Sequence, residues 1–440
     1  MRPDPSVTVI IPALNEEAAI GHVLAAIPDS VEQVIVVDNG STDGTTEAAL
    51  RHGARVVSQP QRGYGAACLA GMAAMGCPDI VVFLDADNSD DPSEMEAIVA
   101  PIASGEADLV IGTRATNRAS QGALTVPQRM GNRLATALIR WIWKQPCTDL
   151  GPFRAIRRDA LHALAMDDHG YGWTVQMQAR ALKARMTVAE RPVRYRKRIG
   201  TSKISGTVRG VIGAGTKILG TIGREALAPR RDAFVRRRLL VFTRYPEAGA
   251  CKTRLIPALG PDGAAAVQRE LTARTLAAAR TWREQNGGDV EVWYSGGSAG
   301  RMRETFGENF VYMRQGEGDL GERLSEAFGA AFAQGYGAVA AIGADCPDMD
   351  AAILQQAFEA LHAQAAVLGP ANDGGYYLIG LNKPTPGAFR DIPWSTAETL
   401  QQTQARLEAA GRTIAWLDPR DDLDDPGQLP DWARNLASNT

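Results

Sequence analysis

The segment IVVFLDADNSDDP, residues 80–92, carries the densest structural information in this sequence. Its first five residues are apolar and mostly β-branched or aromatic, which is typical of a buried strand. Asp85 and Asp87 follow at once, separated by one residue. This spacing aims two carboxylates near one point as the strand ends. The segment therefore predicts a buried strand that delivers a pair of acids to the edge of a sheet.

Similar apolar runs occur before and after this segment and alternate with stretches of helical spacing. The runs lie at 7–12, 33–38, 55–58 and 108–113, and the helical stretches at 15–27, 64–76 and 92–103. Alternation of this kind indicates a mainly parallel sheet with helices on both faces. The first half of the chain is therefore predicted to be an α/β domain whose ligand site lies at the carboxyl ends of the strands.

The length of the chain and a break in its pattern predict two domains. At 440 residues the chain exceeds the size at which one core usually stops growing. Pro229 and several arginines interrupt the apolar periodicity, after which the alternation starts again. We predict a first domain at 1–228, a basic linker at 229–237 and a second α/β domain at 238–440.

The amino-acid composition limits which kinds of partner and metal site are expected for this chain. The 47 Lys and Arg nearly balance the 50 Asp and Glu, which argues against a nucleic-acid partner. Five scattered cysteines, none in a CxxC pair, fit a reducing cytoplasm and exclude a Cys-rich zinc site, so carboxylates are the expected metal ligands. The start of the chain lacks a signal-peptide pattern, so a cytoplasmic location is expected. Segment 208–223 is too short to span a membrane; it either rests on a membrane surface or packs between the domains.

The strand-end motifs of the first half form a recognisable set. Together, PALNEE (12–17), DNGSTDGT (38–45), QRGYGAA (61–67), DADNSDDP (85–92) and GTR (112–114) resemble the family 2 glycosyltransferases of GT-A fold, over about the first 220 residues. The resemblance implies metal-dependent, inverting transfer of a sugar from a nucleotide-diphosphate sugar to an acceptor. It assigns Asp87 as a direct ligand of Mg²⁺ or Mn²⁺ and Asp85 as its partner near the ribose or the metal. The alternative is that these acids only cap a turn.

Further residues near the same strand ends are expected to bind the donor. By resemblance, Asp38 and Glu16 lie beside the nucleotide, while Arg62 and Arg114 suit a diphosphate because a guanidinium binds it bidentately. Asp43 serves either the donor or a turn before Gly44. The full donor-binding set is Pro12, Asn15, Glu16, Asp38, Asp43, Arg62, Gly63, Arg114, Arg196, Ser202 and Lys203.

The acceptor side departs from the family pattern. Segments 148–159 and 171–178 resemble it, yet the helix carries Gln176 where many inverting members place an acidic general base. Either Asp149 or another carboxylate is the catalytic base, or the acceptor is already ionised and needs none. The basic loop 195–207 resembles that of polyprenyl-phosphate sugar synthases, which favours a lipid phosphate and peripheral membrane contact; a small-molecule acceptor is the alternative.

The second half resembles a bacterial family known only as glycosyltransferase-like and related to nucleotidyltransferases of molybdenum and deazaflavin cofactors. The resemblance rests on GEGDLGERL (316–324), AIGADCPDMD (341–350), LGPANDGGYYLIGL (368–381), IPWST (392–396) and DLDDPGQL (422–429). The loop LVFTRYPEAGACKTRL (240–255) is comparable to the basic loop with which those nucleotidyltransferases hold a triphosphate, although no GxGxR run is present. One hypothesis makes this domain the producer of the sugar donor; the other makes it a non-catalytic nucleotide-binding or scaffolding module. Expected nucleotide-binding residues are Arg244, Gly249, Lys252, Arg254, Asp319, Gly321, Arg323, Asp373, Gly374 and Gly375, with Asp345, Asp348 and Asp424 as metal ligands.

Overall fold

The structure, a computed structural model, describes residues 5–114, 126–200 and 208–438. The chain divides into two compact units between Phe234 and Val235, within the arginine-rich stretch 229–237. We call the unit before this point the first domain and the unit after it the second domain.

The first domain alternates strands and helices as the sequence predicts. Its elements are β1 (Val7–Ala13), α1 (Glu17–Ala25), β2 (Gln33–Asp38), α2 (Thr45–Arg51), β3 (Arg55–Ser58), α3 (Tyr64–Ala74), β4 (Ile80–Phe83), α4 (Met95–Ala103), β5 (Leu109–Thr113), α5 (Val126–Trp143), β6 (Arg154–Arg157), α6 (Arg158–Leu164), α7 (Trp173–Lys183), β7 (Val188–Pro192) and α8 (Val208–Leu227).

Seven strands of this domain form one sheet in the order β3-β2-β1-β4-β6-β5-β7. All neighbours pair in parallel except β6, which runs antiparallel to both β4 and β5. The carboxyl ends of β1, β2, β4, β5 and β7 therefore meet at one edge of the sheet, where the loop before β6 joins them.

Both faces of this sheet are buried, which explains the continuous apolar runs of its strands. On one face Ile10 and Phe83 pack with the helix residue Trp173. On the other face Ile11 packs with Ile20 of α1 and neighbouring side chains. Helix α8 packs against α5 and α7 of the same domain. The core thus fixes the central strands, and with them the side chains at their carboxyl ends.

The second domain repeats this plan. Its elements are β8 (Arg237–Arg244), α9 (Ile256–Asn286), β9 (Asp289–Ser295), α10 (Ala299–Phe306), β10 (Val311–Arg314), α11 (Leu320–Ala333), β11 (Ala338–Gly343), α12 (Ala351–Ala363), β12 (Ala366–Pro370), β13 (Tyr376–Leu381), α13 (Thr399–Ala409), β14 (Ile414–Trp416) and α14 (Asp431–Ser438).

Its sheet has the order β10-β9-β8-β11-β13-β12-β14, with β13 as the antiparallel strand. Numbered within each domain, the two orders are the same, 3-2-1-4-6-5-7. The predicted class, two α/β domains each built on a mainly parallel sheet flanked by helices, is confirmed. Within the described part of the chain, every helix is too short or too polar to cross a lipid bilayer.

Candidate active site of the first domain and cleft of the second

An acidic cluster lies at the carboxyl end of β4, the central strand of the first domain. Asp87 and Asp90 are both buried, with 5% and 1% of their surfaces exposed. Oδ1 of Asp85 and both carboxylate oxygens of Asp90 are buried without a hydrogen-bond partner among the described residues. Buried carboxylate oxygens without partners are rare because desolvation is costly, so this strand end is prepared for a positive ligand.

Asp87 is held from two sides. Its Oδ1 accepts a hydrogen bond from the backbone N–H of Ser89 at 2.9 Å, and its Oδ2 contacts the guanidinium of Arg198. The same guanidinium lies 3.8 Å from Oε1 of Glu16, in the loop after β1. Arg198 comes from the loop after β7, so the loops after three strands converge on Asp87. A cation already occupies the position that the sequence predicts for a metal.

The two remaining acids of the cluster resist ionisation. Burial, and then the charge of Asp87, raise the pKa of Asp85 to about 7. Burial, and then the charge of Asp85, raise the pKa of Asp90 well above its usual value. Carboxyls that cannot all ionise together provide strong binding for a cation, because a cation relieves their mutual repulsion.

Asp149 and Arg114 form a buried pair beside this cluster. The guanidinium of Arg114 binds the carboxylate of Asp149 bidentately, with Nε to Oδ2 at 2.9 Å and Nη2 to Oδ1 at 2.7 Å. The backbone N–H groups of Arg114 and Leu150 add two more hydrogen bonds. Burial alone would raise the pKa of Asp149, but the Arg114 guanidinium holds it below its usual value. Both carboxylate oxygens of Asp149 therefore accept hydrogen bonds from Arg114 and Leu150. They hold the loop in place and are not available to take a proton.

The side chain of Gln176 likewise has a structural role. Its Oε1 accepts from the backbone N–H groups of Asp167 and Asp168, and its Nε2 donates to Oδ1 of Asp167 at 2.6 Å and to Glu225 at 3.2 Å. The residue is completely buried. The departure from the family pattern at this position is therefore a packing feature that joins α7 to α8.

The loops after β1 and β2 hold one another. Asn15 accepts from the backbone N–H of Thr42 at 2.7 Å, and Asp38 accepts from that of Ser41 at 3.0 Å. Asp43 binds Thr45 at the start of α2, which is the turn role that the sequence left open. Glu16 is buried near the cluster, while Pro12 remains within β1.

The loop after β3 carries the predicted residues Arg62 and Gly63. Arg62 is exposed and reaches the carbonyl of Gly40 at 3.5 Å. Gly63 has φ +147°, and a Cβ there would lie 2.1 Å from the carbonyl oxygen of His169. Only glycine therefore lets this loop approach the segment before α7.

The basic loop after β7 is only partly described. Arg196 pairs with Asp91 through its guanidinium and donates its backbone N–H to the carbonyl of Ser89 at 2.7 Å. Ser202 and Lys203 lie outside the described residues. Asp90 and Asp91 were not singled out from the sequence, although both stand in the same acidic run after β4. Arg198 lies within the basic loop 195–207 and was not singled out either.

In the second domain, Lys252 lies where the first domain has its acidic cluster. Asp345 follows β11, the counterpart of β4. Nζ of Lys252 lies 2.6 Å from Oδ1 of Asp345, 2.6 Å from Oδ1 of Asp424 and 2.9 Å from the carbonyl of Leu423. Only 4% of this side chain is exposed. The predicted phosphate-binding lysine is thus saturated by the predicted metal ligands.

These residues line a cavity of about 580 Å³ together with Arg244 and Arg254. Asp422, which the sequence analysis missed, also lines it. Burial, and then the charge of Asp345, raise the pKa of Asp422 to about 7. The cavity is therefore lined by three cationic side chains and three carboxyl groups.

Other predicted residues of this domain lie outside that cavity. Asp319 caps α11 through the N–H of Glu322, and Gly321 packs on the carbonyl of Phe389; both line a separate cavity of about 600 Å³. Arg323 donates to Gln315 at 3.3 Å. Asp373, Gly374 and Gly375 form a turn in which Asp373 accepts a hydrogen bond from the backbone N–H of Gly375. The last two predicted residues are Gly249, which adopts φ +79°, and Asp348, which is exposed.

Across residues 5–114, 126–200 and 208–438, no three Asp, Glu, His or Cys side chains are arranged to hold a metal ion by themselves. An ion bound here would take ligands from its substrate as well, which is the usual arrangement for Mg²⁺ with phosphates.

Comparisons with known proteins agree with the division into two domains. Residues 8–165 match the family described as "Glycosyl transferase family 2". Residues 275–396 match a family described as an uncharacterized protein conserved in bacteria. Each match lies within one of the two domains.

Two curated relatives each match a little under half of this chain. An uncharacterized glycosyltransferase of Mycobacterium tuberculosis is 41% identical over 210 residues, covering 47% of this chain and 93% of that protein. The dolichyl-phosphate hexose transferase of Haloferax volcanii is 35% identical over 205 residues, covering 44% of this chain and 85% of that protein.

Among solved structures, glucosyl-3-phosphoglycerate synthase from M. tuberculosis, crystallised with Mn²⁺, UDP and glucosyl-3-phosphoglycerate, is 27% identical; the match has a TM-score of 0.42 and covers 52% of this chain and 82% of that one. Through its first domain the chain belongs to glycosyl transferase family 2, and it is a glycosyltransferase.

Proposed function

We propose that the first domain transfers a sugar from a nucleotide-diphosphate sugar to a polyprenyl phosphate, in a metal-dependent reaction that inverts the anomeric carbon. The observation that carries this proposal is the acidic cluster at the end of β4. It combines the buried carboxyl groups of Asp87 and Asp90 with the half-buried Asp85, and Oδ1 of Asp85 and both carboxylate oxygens of Asp90 have no hydrogen-bond partner among the described residues.

The donor set fits a hard divalent cation. It consists of carboxylate oxygens alone, which Mg²⁺ and Mn²⁺ prefer to nitrogen or sulfur. Asp87 would hold the ion directly, and Asp85 would lie beside it or the ribose. When bound, the ion neutralises charge on the diphosphate leaving group. Arg198 now contacts Asp87 and is 30% exposed at its side chain, so it can exchange its carboxylate for a phosphate oxygen.

The acceptor follows from the lack of a free base at the predicted positions. Asp149 is locked onto Arg114, and Gln176 cannot accept a proton and is fully hydrogen-bonded. A phosphate oxygen is ionised at neutral pH and needs no base. It would attack the anomeric carbon from the face opposite the leaving diphosphate. The carbon–oxygen bond to the diphosphate breaks as the new one forms, and the configuration inverts.

Two further observations support a lipid phosphate over a small-molecule acceptor. The relative from H. volcanii is named for transfer to dolichyl phosphate and aligns over 85% of its length. The loop after β7, which brings Arg196 and Arg198 to the cluster, is rich in cations that suit an anionic acceptor. A cytoplasmic enzyme that lies at the inner face of the membrane would meet both the water-soluble nucleotide sugar and the membrane-bound polyprenyl phosphate.

The test is sugar transfer by the full chain to a polyprenyl phosphate, with release of nucleoside diphosphate measured in parallel. We expect Mn²⁺ or Mg²⁺ to be required and Asp87→Asn to abolish both signals. Asp108→Asn is the matched control, because Asp108 is a buried carboxylate at the other end of β5 that binds the N–H of Thr187. Transfer by Asp87→Asn at the wild-type rate would refute the assignment. Transfer to water-soluble alcohols alone would favour the small-molecule alternative.

For the second domain we propose nucleotide handling, with synthesis of the sugar donor as the activity to test. The specific support is its strand order, which repeats that of the first domain, and the cavity lined by Arg244, Lys252 and Arg254. A triphosphate and its metal ion would have to draw Lys252 away from Asp345 and Asp424. Its ammonium would then be free to bind phosphate.

The assay for this activity is pyrophosphate release by the full chain from nucleoside triphosphates and a panel of sugar 1-phosphates. Asp345→Asn should abolish release, while Asp87→Asn in the first domain should not affect it. Nucleotide binding without release in the whole panel would support the alternative, a non-catalytic binding module.

A further inference from the structure

Helix α5 carries apolar side chains on two opposite faces. Its inner face packs Ala135 and Ile139 against Val175 of α7 and Ile222 of α8, which accounts for its place in the domain. Its outer face has a second apolar stripe that this packing does not use. A helix within a globular domain needs only one apolar face, so the outer stripe calls for a partner outside the fold.

The outer stripe consists of Met130, Leu134, Ala137 and Trp141. Spacings of four, three and four residues place these side chains in one row along a helix. Met130, Leu134 and Trp141 are 67%, 53% and 70% exposed in the full chain. Three large apolar side chains in a single row are more than the scattered exposure that a surface normally shows.

The charges around the stripe have one sign. Arg129, Arg133, Arg140 and Lys144 are exposed beside it, and the segment 126–144 contains no Asp or Glu. Nζ of Lys144 lies 5.7 Å from the ring centre of Trp141, so a cation and an indole share the end of the row. Aliphatic residues, tryptophan and cations on one helix face are the composition of helices that lie in the interface of an anionic bilayer.

The helix is also tied to the acceptor side of the active site. The side chain of Asn132 donates to the carbonyl of Thr148 at 3.3 Å and accepts from the N–H of Leu150 at 3.1 Å. These two residues flank Asp149. A surface that docks through α5 therefore holds this edge of the active site close to whatever it docks on.

We propose that the outer face of α5 lies in the headgroup region of an anionic lipid bilayer. This inference deepens the proposed function, on which it rests for the reason why the enzyme should meet a membrane. It places the contact on α5, whereas the sequence offered segment 208–223 as a membrane-surface segment, with packing between the domains as the alternative. A second copy of this face is a poor partner, because a symmetric contact would bring four cations of each chain together.

Co-sedimentation of the full chain with vesicles tests the proposal. The vesicles are phosphatidylcholine alone, or phosphatidylcholine mixed with phosphatidylglycerol. We expect binding to the mixed vesicles that weakens as salt is added. The double variant Leu134→Ser, Trp141→Ser should reduce the partition coefficient about tenfold or more, because two apolar side chains no longer enter the interface.

Two further variants separate the contributions. Arg133→Gln with Arg140→Gln should remove the preference for anionic vesicles. Trp416→Ser is the matched control, because Trp416 is an exposed tryptophan of the second domain, and this variant should bind like the wild type. All four substituted residues of the α5 variants are exposed, so unchanged thermal unfolding checks that the fold is intact.

Two results would overturn the proposal: no binding to mixed vesicles, or equal binding by the wild type and the Leu134, Trp141 variant. A wild-type dimer in light scattering that this variant dissociates would assign the face to a second copy instead. Vesicle binding needs no sugar transfer. If the chain binds through α5 and glycosylates no polyprenyl phosphate, the proposed acceptor fails and the membrane surface stands.

Discussion

Replacing Asp149 by asparagine tests whether this residue holds the active site together or acts as its base. The substitution keeps the shape of the side chain but removes the charge that faces the buried guanidinium of Arg114. The carboxylate accepts four hydrogen bonds of 2.7–2.9 Å, from Arg114 and from the N–H of Leu150. Its loss leaves a buried, uncompensated cation.

Breaking a buried ion pair from one side costs about 3–5 kcal/mol of unfolding free energy. For a domain of this size each kcal/mol lowers Tm by about 2–4 °C, so Asp149→Asn should lower Tm by about 6–20 °C. Circular dichroism of the full chain measures this. Asp159→Asn is a comparison within the same domain, since its pair with Arg157 is local and spans two residues, and it should cost less.

A second substitution checks the cause. Adding Arg114→Gln to Asp149→Asn removes the orphaned charge and should restore part of the lost stability, so the two effects should not be additive. If instead Asp149→Asn leaves Tm unchanged, lowers kcat more than about a hundredfold and removes the acidic limb of the pH–rate profile, then Asp149 is the base. That result would refute the argument for an ionised acceptor.

Three other predictions concern the acids and glycines of the two domains. Because the folded-state pKa of Asp85 is raised from 3.8 to about 7, the folded domain holds a proton that the unfolded chain loses between these pH values. The stability of the first domain should therefore fall as the pH rises from about 4 to about 7, and Mn²⁺ should oppose the fall. The Mn²⁺ affinity measured by calorimetry should rise up to about pH 7 in the wild type and rise less in Asp85→Asn. Lys252→Met removes the ammonium that faces Asp345 and Asp424 and that counters the raised pKa of about 7 of the neighbouring Asp422, so Tm of the second domain should fall more at pH 8, where Asp422 would have to ionise, than at pH 5, and should recover with Mg²⁺; a pH-independent loss would show that packing, not charge, is what Lys252 supplies. Gly63→Ala should lower the free energy of unfolding, measured in urea, by about 2 kcal/mol or more, because its Cβ would meet the carbonyl of His169. Gly53→Ala is the control, because Gly53 also has a positive φ but has open space around it, and it should lower this free energy less. Equal losses in the two variants would contradict the close approach of Gly63 to His169.

The sequence predicted the α/β class because strands buried on both faces read as continuous apolar runs. The runs at 7–12, 33–38 and 80–84 became β1, β2 and β4 with little change. The antiparallel strands were missed. β6 reads RAIR and β13 follows a glycine pair, so neither shows a long β-branched run. Pairing with strands distant in sequence, not local preference, makes them strands.

The motifs around the strand ends could be placed on one edge because carboxyl ends of parallel strands meet. The partners of each acid could not be predicted, since they come from loops far away in the chain. Arg198 contacts Asp87 across 111 residues, and Lys252 reaches Asp424 across 172. Such contacts depend on how loops close over the sheet. Asp149 and Gln176 show the same limit, because only their surroundings reveal that they are already engaged.

Coupled binding of a divalent ion and a nucleoside diphosphate tests the central claim most directly. Thermal shift of the full chain is measured with UDP, GDP and dTDP, each with Mn²⁺ and with chelator. We predict that at least one nucleotide raises Tm only with Mn²⁺, that Asp87→Asn removes this rise and that Asp345→Asn in the second domain retains it. A rise of equal size in chelator, or in Asp87→Asn, would contradict the claim that the end of β4 holds the ion and, through it, the diphosphate of the donor.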